Sequence, residues 1–414
     1  MAYAPGAPAA GGPRTVRLHC GRLLTMTSRE MDGPQFVDIV DGRVARVGPI
    51  GEIGDSPATQ SVDLSDLTVL PGLIDAHTHL SLDVLQGDEA AQAREAPSLI
   101  ALKAASRGRT NLDRGVTTLR LVGEVNFIDV DVRRMFDDRV FPGPRLFTAT
   151  RGIKGPGGHG VTAHVADGPA EVRRIAEENF ARGADHLKLF ITGGVATAGT
   201  DPRTPFMTRE QIAAAVEVAR SHGAVVSAHA YGGTAVDDGV AVGLAAIEHG
   251  VFITEPQYAR MASAGCALVA TLGVYLTEPG PAENPAWPAE VREKFKRARE
   301  LAPAAVALAK RSGVRIALGT DAIHGGMLEE IVFAASAGLT NRDAIGAATV
   351  EPARLLGRTG ELGVIAPGSA ADLFAVRGNP LRDITALRSI SWVMRAGEVV
   401  ANSRRAPVAA AHGR

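Results

Sequence analysis

The chain has 414 residues, 45% of them hydrophobic, and its 44 basic residues against 45 acidic ones give a formal net charge of −1. This balance argues against a nucleic-acid partner, since proteins that bind polyanions usually carry a basic excess or a basic stripe. No apolar run approaches the roughly 20 residues that span a bilayer, and two distant cysteines, Cys20 and Cys266, cannot build a disulfide framework, so we expect a cytoplasmic protein that binds neither nucleic acid nor membrane.

Both ends of the chain are predicted to be rich in β-strands. Residues 1–14, dominated by Ala, Gly and Pro, predict a flexible N-terminal tail. After the tail, short strand-like segments are separated by turn signals, of which Asp41-Gly42 is a strong two-residue hairpin signal. The predicted strands lie at residues 16–18, 36–40, 43–47, 67–70, 372–376, 390–395 and 398–401. Because these strands flank a long middle region, residues 15–66 and 358–405 are predicted to form one small β-sandwich domain.

The middle of the chain alternates strands with helices. Eight short apolar runs are predicted strands, at residues 69–75, 117–122, 145–150, 186–192, 224–230, 246–250, 267–272 and 315–321. Helical patterns lie between most of them, including residues 170–181, 208–222, 289–311 and 327–337. This alternation indicates right-handed βαβ units and a parallel sheet, at a length that suits a (β/α)8 barrel of about 250 residues. We therefore predict an α/β fold: a (β/α)8 TIM barrel, residues 67–357, joined to the β-sandwich built from both chain termini.

A doubly wound open sheet is the structural alternative to the barrel. Such a sheet would usually carry a glycine-rich dinucleotide-binding turn after its first strand. The sequence has no such turn there, and the barrel is the preferred prediction.

Residues able to bind metal lie at the carboxyl ends of several predicted strands, where the active sites of barrels are built. Alternate residues of a strand point the same way, so the imidazoles of His77 and His79 project to one side at the barrel mouth. The fourth, fifth, sixth and eighth strands end near Lys188, His229, His249 and Asp321. Each residue alone has an ordinary structural explanation, such as a core histidine or a helix N-cap, but all six can converge on one ring.

These residue types suit a pair of divalent cations. Zn²⁺ binds neutral imidazoles and carboxylates at about 2.0–2.2 Å, so two histidines with the aspartate could hold one ion and the other two histidines a second. An anion would have to join the ions, and a lysine supplies one only after reaction with CO₂, which gives a carbamate with two oxygens. Such a group could span metals about 3.5–4 Å apart.

Five segments around these residues resemble the metal-dependent amidohydrolase superfamily, specifically its imidazolonepropionase-like and Xaa-Pro dipeptidase-like branch. They are PGLIDAHTHL (71–80), GADHLKLFITGGV (183–195), VVSAHAYGG (225–233), AIEHG (246–250) and IALGTDAIHGG (316–326). A further stretch, ELGVIAPGSAADLFAVRGNPL (361–381), resembles the strands that return to the terminal domain. The resemblance covers residues 15–400, and no ligand position departs from the pattern.

The resemblance implies a centre of two divalent metal ions, most simply zinc. The implied ligands are His77, His79 and Asp321 for the first ion, His229 and His249 for the second, and carbamylated Lys188 as the bridge. A metal-bridging hydroxide would attack an amide, with Asp321 as general base and then as general acid toward the leaving amine. The implied reaction is hydrolysis of an amide-like bond.

Three residues near these ligands are candidate substrate contacts. His159 lies in a GGHG loop that faces the substrate in this branch of the superfamily. Tyr231 follows His229 by two residues and should therefore point at the same pocket. His324 lies just beyond Asp321, in a loop that meets the substrate carboxylate in related peptidases. The long loops expected to set specificity are residues 81–98, 151–166, 197–206 and 273–288.

Three functions are compatible with this sequence. The preferred one is a metallohydrolase that cuts an amide bond of a peptide or an N-acyl amino acid, in general turnover or as a dedicated step on a modified peptide. The alternative is a cyclic amidohydrolase or deaminase acting on an imidazolone- or lactam-like ring, although deaminases usually need one metal and lack the bridging lysine. A non-catalytic scaffold is disfavoured because all six ligand positions are kept. The expected partner is a small-molecule or peptide substrate, and we also expect a homo-oligomer.

Overall fold

A computed structural model describes residues 15–27, 33–54 and 58–403 of the chain, and the tail predicted at residues 1–14 lies outside them. The strands, in chain order, are β1 (Thr15–Leu23), β2 (Gln35–Val40), β3 (Arg43–Pro49), β4 (Gln60–Pro71), β5 (Leu73–Thr78), β6 (Val116–Leu121), β7 (Arg145–Thr148), β8 (Gly152–Lys154), β9 (Ala163–Val165), β10 (Leu187–Phe190), β11 (Val226–Ala230), β12 (Ala246–His249), β13 (Ala267–Ala270), β14 (Ile316–Leu318), β15 (Leu373–Val376), β16 (Ile390–Arg395) and β17 (Glu398–Asn402). The helices are α1 (Glu89–Ala93), α2 (Pro97–Asp113), α3 (Ile128–Asp137), α4 (Pro169–Ala181), α5 (Arg209–Ser221), α6 (Thr234–Val242), α7 (Glu255–Ala264), α8 (Gly273–Leu276), α9 (Ala289–Arg311), α10 (Met327–Ser336), α11 (Asn341–Ala347) and α12 (Val350–Leu355), with short 3₁₀ helices at Ile50–Glu52, Val84–Gln86 and Ile384–Arg388.

Eight of these strands form a barrel and run parallel to one another. β5, β6 and β7 pair side by side, and β10 to β14 pair in the same consecutive order. Backbone hydrogen bonds close the ring, because the Asp185 amide donates to the Thr148 carbonyl of β7 at 2.7 Å and the Asp321 amide donates to the His77 carbonyl of β5 at 2.8 Å. Each barrel strand overlaps one of the eight predicted apolar runs, and the molecule has the predicted TIM-barrel fold.

The helices around the barrel follow their sequence signals. α5 begins after Thr208, whose hydroxyl accepts a hydrogen bond from the Gln211 amide while the Gln211 side chain accepts one from the Thr208 amide. This reciprocal cap satisfies two amides that the first turn would leave without partners. The buried apolar face of the same helix recurs at helical spacing and includes Ile212, Ala215, Val216 and Ala219. The helices predicted at residues 170–181, 208–222, 289–311 and 327–337 correspond to α4, α5, α9 and α10.

The connection after β7 is more ordered than the sequence predicts. Residues 151–166 are predicted to be a loop, but they contain two three-residue strands, β8 and β9, that pair in parallel. β8 also pairs with β10, so the connection extends the barrel sheet beyond its eight strands. A strand is recognised in a sequence by apolar and polar residues that alternate over at least four positions. β8 and β9 have three residues each, and the stretch between them is rich in glycine, so the sequence does not show this pattern.

Strands from both ends of the chain join one seven-stranded sheet in the order β17-β16-β15-β4-β1-β2-β3. The predicted hairpin turn is present, because Asp41 and Gly42 have φ of 48° and 78°, and Ala396 and Gly397 repeat the same values between β16 and β17. Two such residues in a row give a turn whose twist matches that of the strands it joins. The sheet has a core of its own, which includes the buried Trp392 and is separate from the main core. The packing of this sheet into a two-layered sandwich, and the limits of the two domains, stay predictions.

The described residues include no helix both long enough and apolar enough to cross a membrane. The two cysteines are buried and carry free thiols, Cys20 in β1 and Cys266 just before β13. Burial raises the pKa of each thiol to about 12, so both stay protonated at neutral pH and have little nucleophilic character.

Candidate metal centre

The six residues predicted as ligands lie at the carboxyl end of the barrel. His77 lies in β5 with His79 just past its end, Lys188 in β10, His229 in β11, His249 at the end of β12 and Asp321 shortly after β14. Five of the side chains are buried, and that of Asp321 is 22% exposed. The barrel therefore gathers residues from the ends of five strands into one buried site, although His77 and Asp321 are 244 positions apart in the chain (321 − 77). The partly exposed side chain of Asp321 links this site to the surface.

Asp321 lies at the centre of the first group of ligands. Its Oδ1 atom is 3.3 Å from His77 Nε2 and 3.6 Å from His79 Nε2. One ligand atom from each of these three residues lies within 4.8 Å of the others. Two imidazole nitrogens and a carboxylate oxygen at this separation form a candidate site for one divalent cation.

Hydrogen bonds on the far side of each ring fix which nitrogen faces this site. His79 Nδ1 is 2.6 Å from the Gly123 carbonyl oxygen, and a carbonyl only accepts, so Nδ1 carries the proton. His77 Nδ1 is 2.8 Å from Glu248 Oε2, and its proton is held there in the same way. Both Nε2 atoms consequently present a lone pair toward Asp321, which is the arrangement that a metal-binding histidine needs.

His229 and His249 form the second group of possible ligands. Their ring centroids are 4.7 Å apart, and the His249 ring is 4.8 Å from that of His77. His229 Nε2 donates to the Gly193 carbonyl oxygen at 3.1 Å, which leaves Nδ1 as the free acceptor. That Nδ1 atom is buried and has no hydrogen-bond partner among the described residues. A buried polar atom without a partner is costly, and a cation would satisfy it.

Lys188 contributes a second buried polar atom that lacks a hydrogen-bond partner among the described residues. Its side chain is fully buried, and its Nζ atom has no hydrogen-bond partner in the described part of the chain and lies 5.0 Å from the centre of the Phe190 ring. Burial lowers the pKa of the amine to about 8. A substantial neutral fraction therefore exists near neutral pH, and the neutral amine is the form that reacts with CO₂.

The charge states of the other ligands suit metal binding. Burial lowers the pKa of His79 to about 4, and it lowers the pKa values of His229 and His249 well below the usual range, so these imidazoles are neutral at pH 7. Burial alone would raise the pKa of Asp321, but the surrounding imidazoles, His77 foremost, hold it well below its usual range. The site thus offers neutral nitrogens and one carboxylate.

The backbone at two of these ligands adopts a conformation that L-residues rarely use. His249 has φ of 71° and Asp321 has φ of 48°, both in the left-handed region. Such strain persists only where the surroundings fix it, and it concentrates at functional sites. Near Asp321 the fixing group is the buried carboxylate of Asp75, which accepts hydrogen bonds from the amides of His77 at 3.1 Å and Thr320 at 3.0 Å. Asp75 therefore ties the first barrel strand to the last at the level of the ligands.

A buried ion pair beneath the ligands holds His77 in place, and sequence reasoning did not find it. Arg120 of β6 donates to Glu248 Oε1 at 2.9 Å and to the Ala76 carbonyl at 2.9 Å, while the other oxygen of Glu248 accepts from His77. Burial alone would raise the pKa of Glu248, but the charges of Arg120 and Lys188 hold it well below its usual range. An arginine inside the apolar run at residues 117–122 was the one available signal, because a strand core rarely contains an unpaired charge.

This pair leads to a prediction for Glu248→Gln. The change leaves the buried Arg120 guanidinium without its anion, so we expect the free energy of unfolding to fall by about 3–5 kcal/mol and metal affinity to fall about 10–100-fold. Chemical denaturation and competition with a metal chelator measure the two effects. Glu293→Gln, which removes an exposed carboxylate paired with Lys296, should change stability by less than about 0.5 kcal/mol. Equal effects of the two changes would contradict the assignment.

The three predicted substrate contacts have different surroundings. The His159 ring lies 4.3 Å from that of His229, with its Nδ1 atom 2.6 Å from the Thr197 hydroxyl. The Tyr231 ring stacks on His249 at 5.2 Å, and its hydroxyl is 2.8 Å from that of Tyr275. Both side chains line the pocket over the ligands. Their role toward a substrate stays a prediction.

His324, the third predicted contact, is not among the residues that line this pocket. Its Nε2 atom is 2.8 Å from the Leu82 carbonyl oxygen and its Nδ1 atom is 3.5 Å from the Asn111 amide nitrogen. Because both ring nitrogens have protein partners, His324 connects the loop after β14 to the loop after β5. A contact with the substrate stays a prediction that this geometry does not favour.

The pocket itself opens over the ligands, with a cavity volume of about 40 Å³. Its walls are largely apolar and include Leu82, Val84, Val195, Val274 and Phe295. The polar groups on its floor are the histidines and Asp321. A small substrate with an apolar portion would therefore be held against the candidate metal ligands and shielded from bulk water.

The sequence pattern of the amidohydrolase family matches residues 68–400, which include every strand of the barrel. The chain belongs to the amidohydrolase family. Ochratoxinase of Aspergillus niger is 26% identical to it over 374 residues, which are 80% of this chain and 75% of that protein. Imidazolonepropionase of Salinispora arenicola is 28% identical over 361 residues, which are 81% of this chain and 83% of that protein.

Solved structures of amidohydrolases have the same fold over nearly the whole chain. A Xaa-Pro dipeptidase with methionine bound in its active site is 29% identical to this amidohydrolase, with a TM-score of 0.87 over 94% of this chain and 100% of that chain. The structure of the ochratoxinase itself gives a TM-score of 0.85 at 24% identity. Family and relatives together identify the protein as a hydrolase that acts on C–N bonds.

Proposed function

We propose that this amidohydrolase cleaves the amide bond of a peptide or an N-acyl amino acid with the help of two divalent metal ions, most simply zinc. The proposal rests on the convergence of six suitable ligands at one end of the barrel. Two buried atoms of these ligands, Lys188 Nζ and His229 Nδ1, lack hydrogen-bond partners among the described residues. Both atoms would be satisfied by one arrangement, in which a carbamate on Lys188 and the ring of His229 bind cations. No other polar group in the described residues is placed to satisfy them.

The donor set fits this pair of metals. His77, His79 and Asp321 would hold one ion, and His229 and His249 the other. Carbamylated Lys188 would contribute an oxygen to each. When bound, the metals would lower the pKa of a water toward neutrality and polarise the carbonyl of the scissile amide.

The protein's own groups would then position the substrate and move the proton. Asp321, ionised and open to the pocket, would accept a proton from the attacking water on a carboxylate oxygen and return it to the nitrogen of the leaving amine. His159 and Tyr231 flank His229 on the pocket wall, with ring centroids 4.3 Å and 5.2 Å away, and would contact the substrate carbonyl. The apolar walls would bind the side chain next to the scissile bond and exclude water.

Hydrolysis of a cyclic amide is the second candidate, and the likeness to imidazolonepropionase favours it. The same centre would open an imidazolone- or lactam-like ring, because the bond cleaved is again an amide. Lys188 supports both of these reactions over a one-metal deamination, since a bridging anion has no use where a single ion is bound. The peptide proposal is preferred because a solved structure that matches 94% of this chain, with a TM-score of 0.87, is that of a Xaa-Pro dipeptidase.

Metal analysis combined with a substrate panel tests this proposal. We expect about two equivalents of zinc or another divalent ion per chain, and release of the amine product from dipeptides or N-acyl amino acids that stops when a chelator removes the metal and returns when the metal is restored. Imidazolonepropionate and small lactams in the same panel test the cyclic alternative. A protein that binds fewer than two metals, or one that turns over only a cyclic substrate, would contradict the proposal.

A further inference from the structure

The loop between β5 and α2, residues 79–96, forms one wall of the pocket and is held rigidly. Hydrogen bonds from four side chains fix its backbone carbonyls: Arg107 to Leu80 at 2.8 Å, His324 to Leu82 at 2.8 Å, Gln92 to Asp83 at 3.0 Å and Asn284 to Leu85 at 2.7 Å. The buried carboxylate of Glu124 also accepts from the amide of Ser81 at 2.8 Å. Groups carried by this loop are therefore placed before any substrate arrives, which is what a specificity-determining contact requires.

Glu89, the first residue of α1, is carried by this loop and lines the pocket together with Leu82 and Val84. Its carboxylate forms no hydrogen bond and no ion pair with any other residue that the structure describes. Burial and the nearby charge of Asp321 raise the pKa of Glu89 to about 8. Glu89 is partly buried, and a carboxylate that has lost some of its water without gaining a donor is poorly stabilised, so a cation bound beside it would stabilise it.

The other residues that line the pocket provide no such cation. Among the described lining residues the carboxylates are Glu89 and Asp321, and none is a lysine or an arginine. The two basic residues nearest in sequence to His159 have partners elsewhere: Arg151 pairs with Glu178 at 2.6 Å, and Lys154 donates to the Gly160 carbonyl at 2.8 Å. The described lining residues therefore offer Glu89 no cationic side chain, and apart from the metals of the proposed centre a positive charge beside it would come from the bound molecule.

We infer that Glu89 selects substrates that carry a positively charged nitrogen on the acyl side of the scissile amide. This inference rests on the proposed amide hydrolysis and narrows its substrate class. The nitrogen would be either the α-ammonium group of a peptide or an ammonium group on a side chain, since both donate charge-assisted hydrogen bonds to a carboxylate. Glu89 acts here as a specificity-determining residue and has no part in breaking the amide bond.

Three substrates that all release leucine separate these sources of charge. Alanyl-leucine carries an α-ammonium group, N-acetyl-lysyl-leucine carries only a side-chain ammonium group, and N-acetyl-alanyl-leucine carries neither. With the metal-loaded wild-type enzyme, we expect kcat/KM for at least one charged substrate to exceed that for N-acetyl-alanyl-leucine by about 10-fold or more. Glu89→Gln should remove that preference, through a loss of about 10-fold or more on the preferred charged substrate and little change on the neutral one.

Glu293→Gln is the matched control, because it removes an exposed carboxylate that does not line the pocket and should leave all three rates unchanged. The metal content and the free energy of unfolding of both variants are measured alongside, so that a folding defect is recognised. If Glu89→Gln slows all three substrates equally, the carboxyl takes part in a proton transfer or in holding the pocket, and the inference is overturned. It is also overturned if wild type prefers the neutral substrate. If the loaded wild-type enzyme releases no product from any peptide or N-acyl amino acid, the proposed function itself fails.

Discussion

Replacing Asp321 with asparagine is expected to lower kcat/KM for an amide substrate by about 10³-fold or more, near the upper part of the range for losing a general acid–base group. The carboxylate oxygen Oδ1 lies 3.3 Å from His77 Nε2 and 3.6 Å from His79 Nε2, so one atom is placed both to bind a metal with these imidazoles and to take a proton. An amide of the same shape is a weaker ligand and does not accept the proton. Steady-state kinetics at saturating metal measures the loss.

The fold should survive this substitution. The imidazoles around Asp321 hold its pKa well below its usual range, so the wild-type residue is a carboxylate at neutral pH. Asparagine has nearly the same shape, so metal-free Asp321→Asn should unfold in a cooperative transition like that of the wild type, as measured by chemical denaturation. Asp113→Asn, which removes an exposed partner of Arg109, is the control for both measurements. Turnover by Asp321→Asn at the wild-type rate would refute its role in proton transfer.

The parts of this site that the sequence predicts are those governed by local rules. Alternation along a strand places His77 and His79 on the same side, and barrel geometry puts the ends of parallel strands at one face. These two rules are sufficient to predict that Lys188, His229 and Asp321, which come from separate strands, lie close together, even when no contact between them is known. For the same reason the barrel strands were recognised, since each is a short apolar run between helical patterns.

The contacts that sequence reasoning missed depend on pairs that are far apart in the chain. Arg120 and Glu248 are 128 positions apart and meet only because β6 and β12 face each other across the barrel interior. No periodicity encodes such a pair, because either residue alone reads as a charge at a strand end. Glu330 is similar: it accepts hydrogen bonds from the amides of Leu272 and Gly273 at 2.9 Å and 2.5 Å, and so fixes the end of β13 from α10.

His324 is a residue for which the local motif and the geometry point to different roles. Its position just after Asp321 suggested a substrate contact, but the chain reverses into the left-handed region at Asp321 and Ala322, with φ of 48° and 68°. The imidazole consequently reaches the Leu82 carbonyl in the neighbouring loop. His324 therefore supports the loop that carries Glu89, and its contact with the substrate stays a prediction that this geometry does not favour.

The second large effect is expected when Lys188 is replaced. The proposed centre needs a bridging anion, which an amine cannot supply and a carbamate can. We expect ¹³C NMR of the metal-loaded protein, prepared with ¹³C-labelled bicarbonate, to detect one carbamate carbon per chain. The signal should be absent from Lys188→Ala and present in Lys154→Met, which removes another lysine near this end of the barrel. The amine reacts with CO₂ only when neutral, and its pKa is about 8, so at equal concentrations of dissolved CO₂ the metal-free protein should take up the label faster at pH 9 than at pH 7.

The same substitution tests what the bridge does. Lys188→Ala should bind at most one metal tightly and lose about 10²–10³-fold in kcat/KM, as is typical when a preorganised group that stabilises developing charge is removed. It also removes a fully buried side chain from the proposed centre, so acetate or propionate should restore part of the activity, with saturation in the added carboxylate. If Lys188→Ala keeps two metals and full activity without added anion, Lys188 is only a packing residue. In that case its buried amine must be satisfied by a group other than a carbamate.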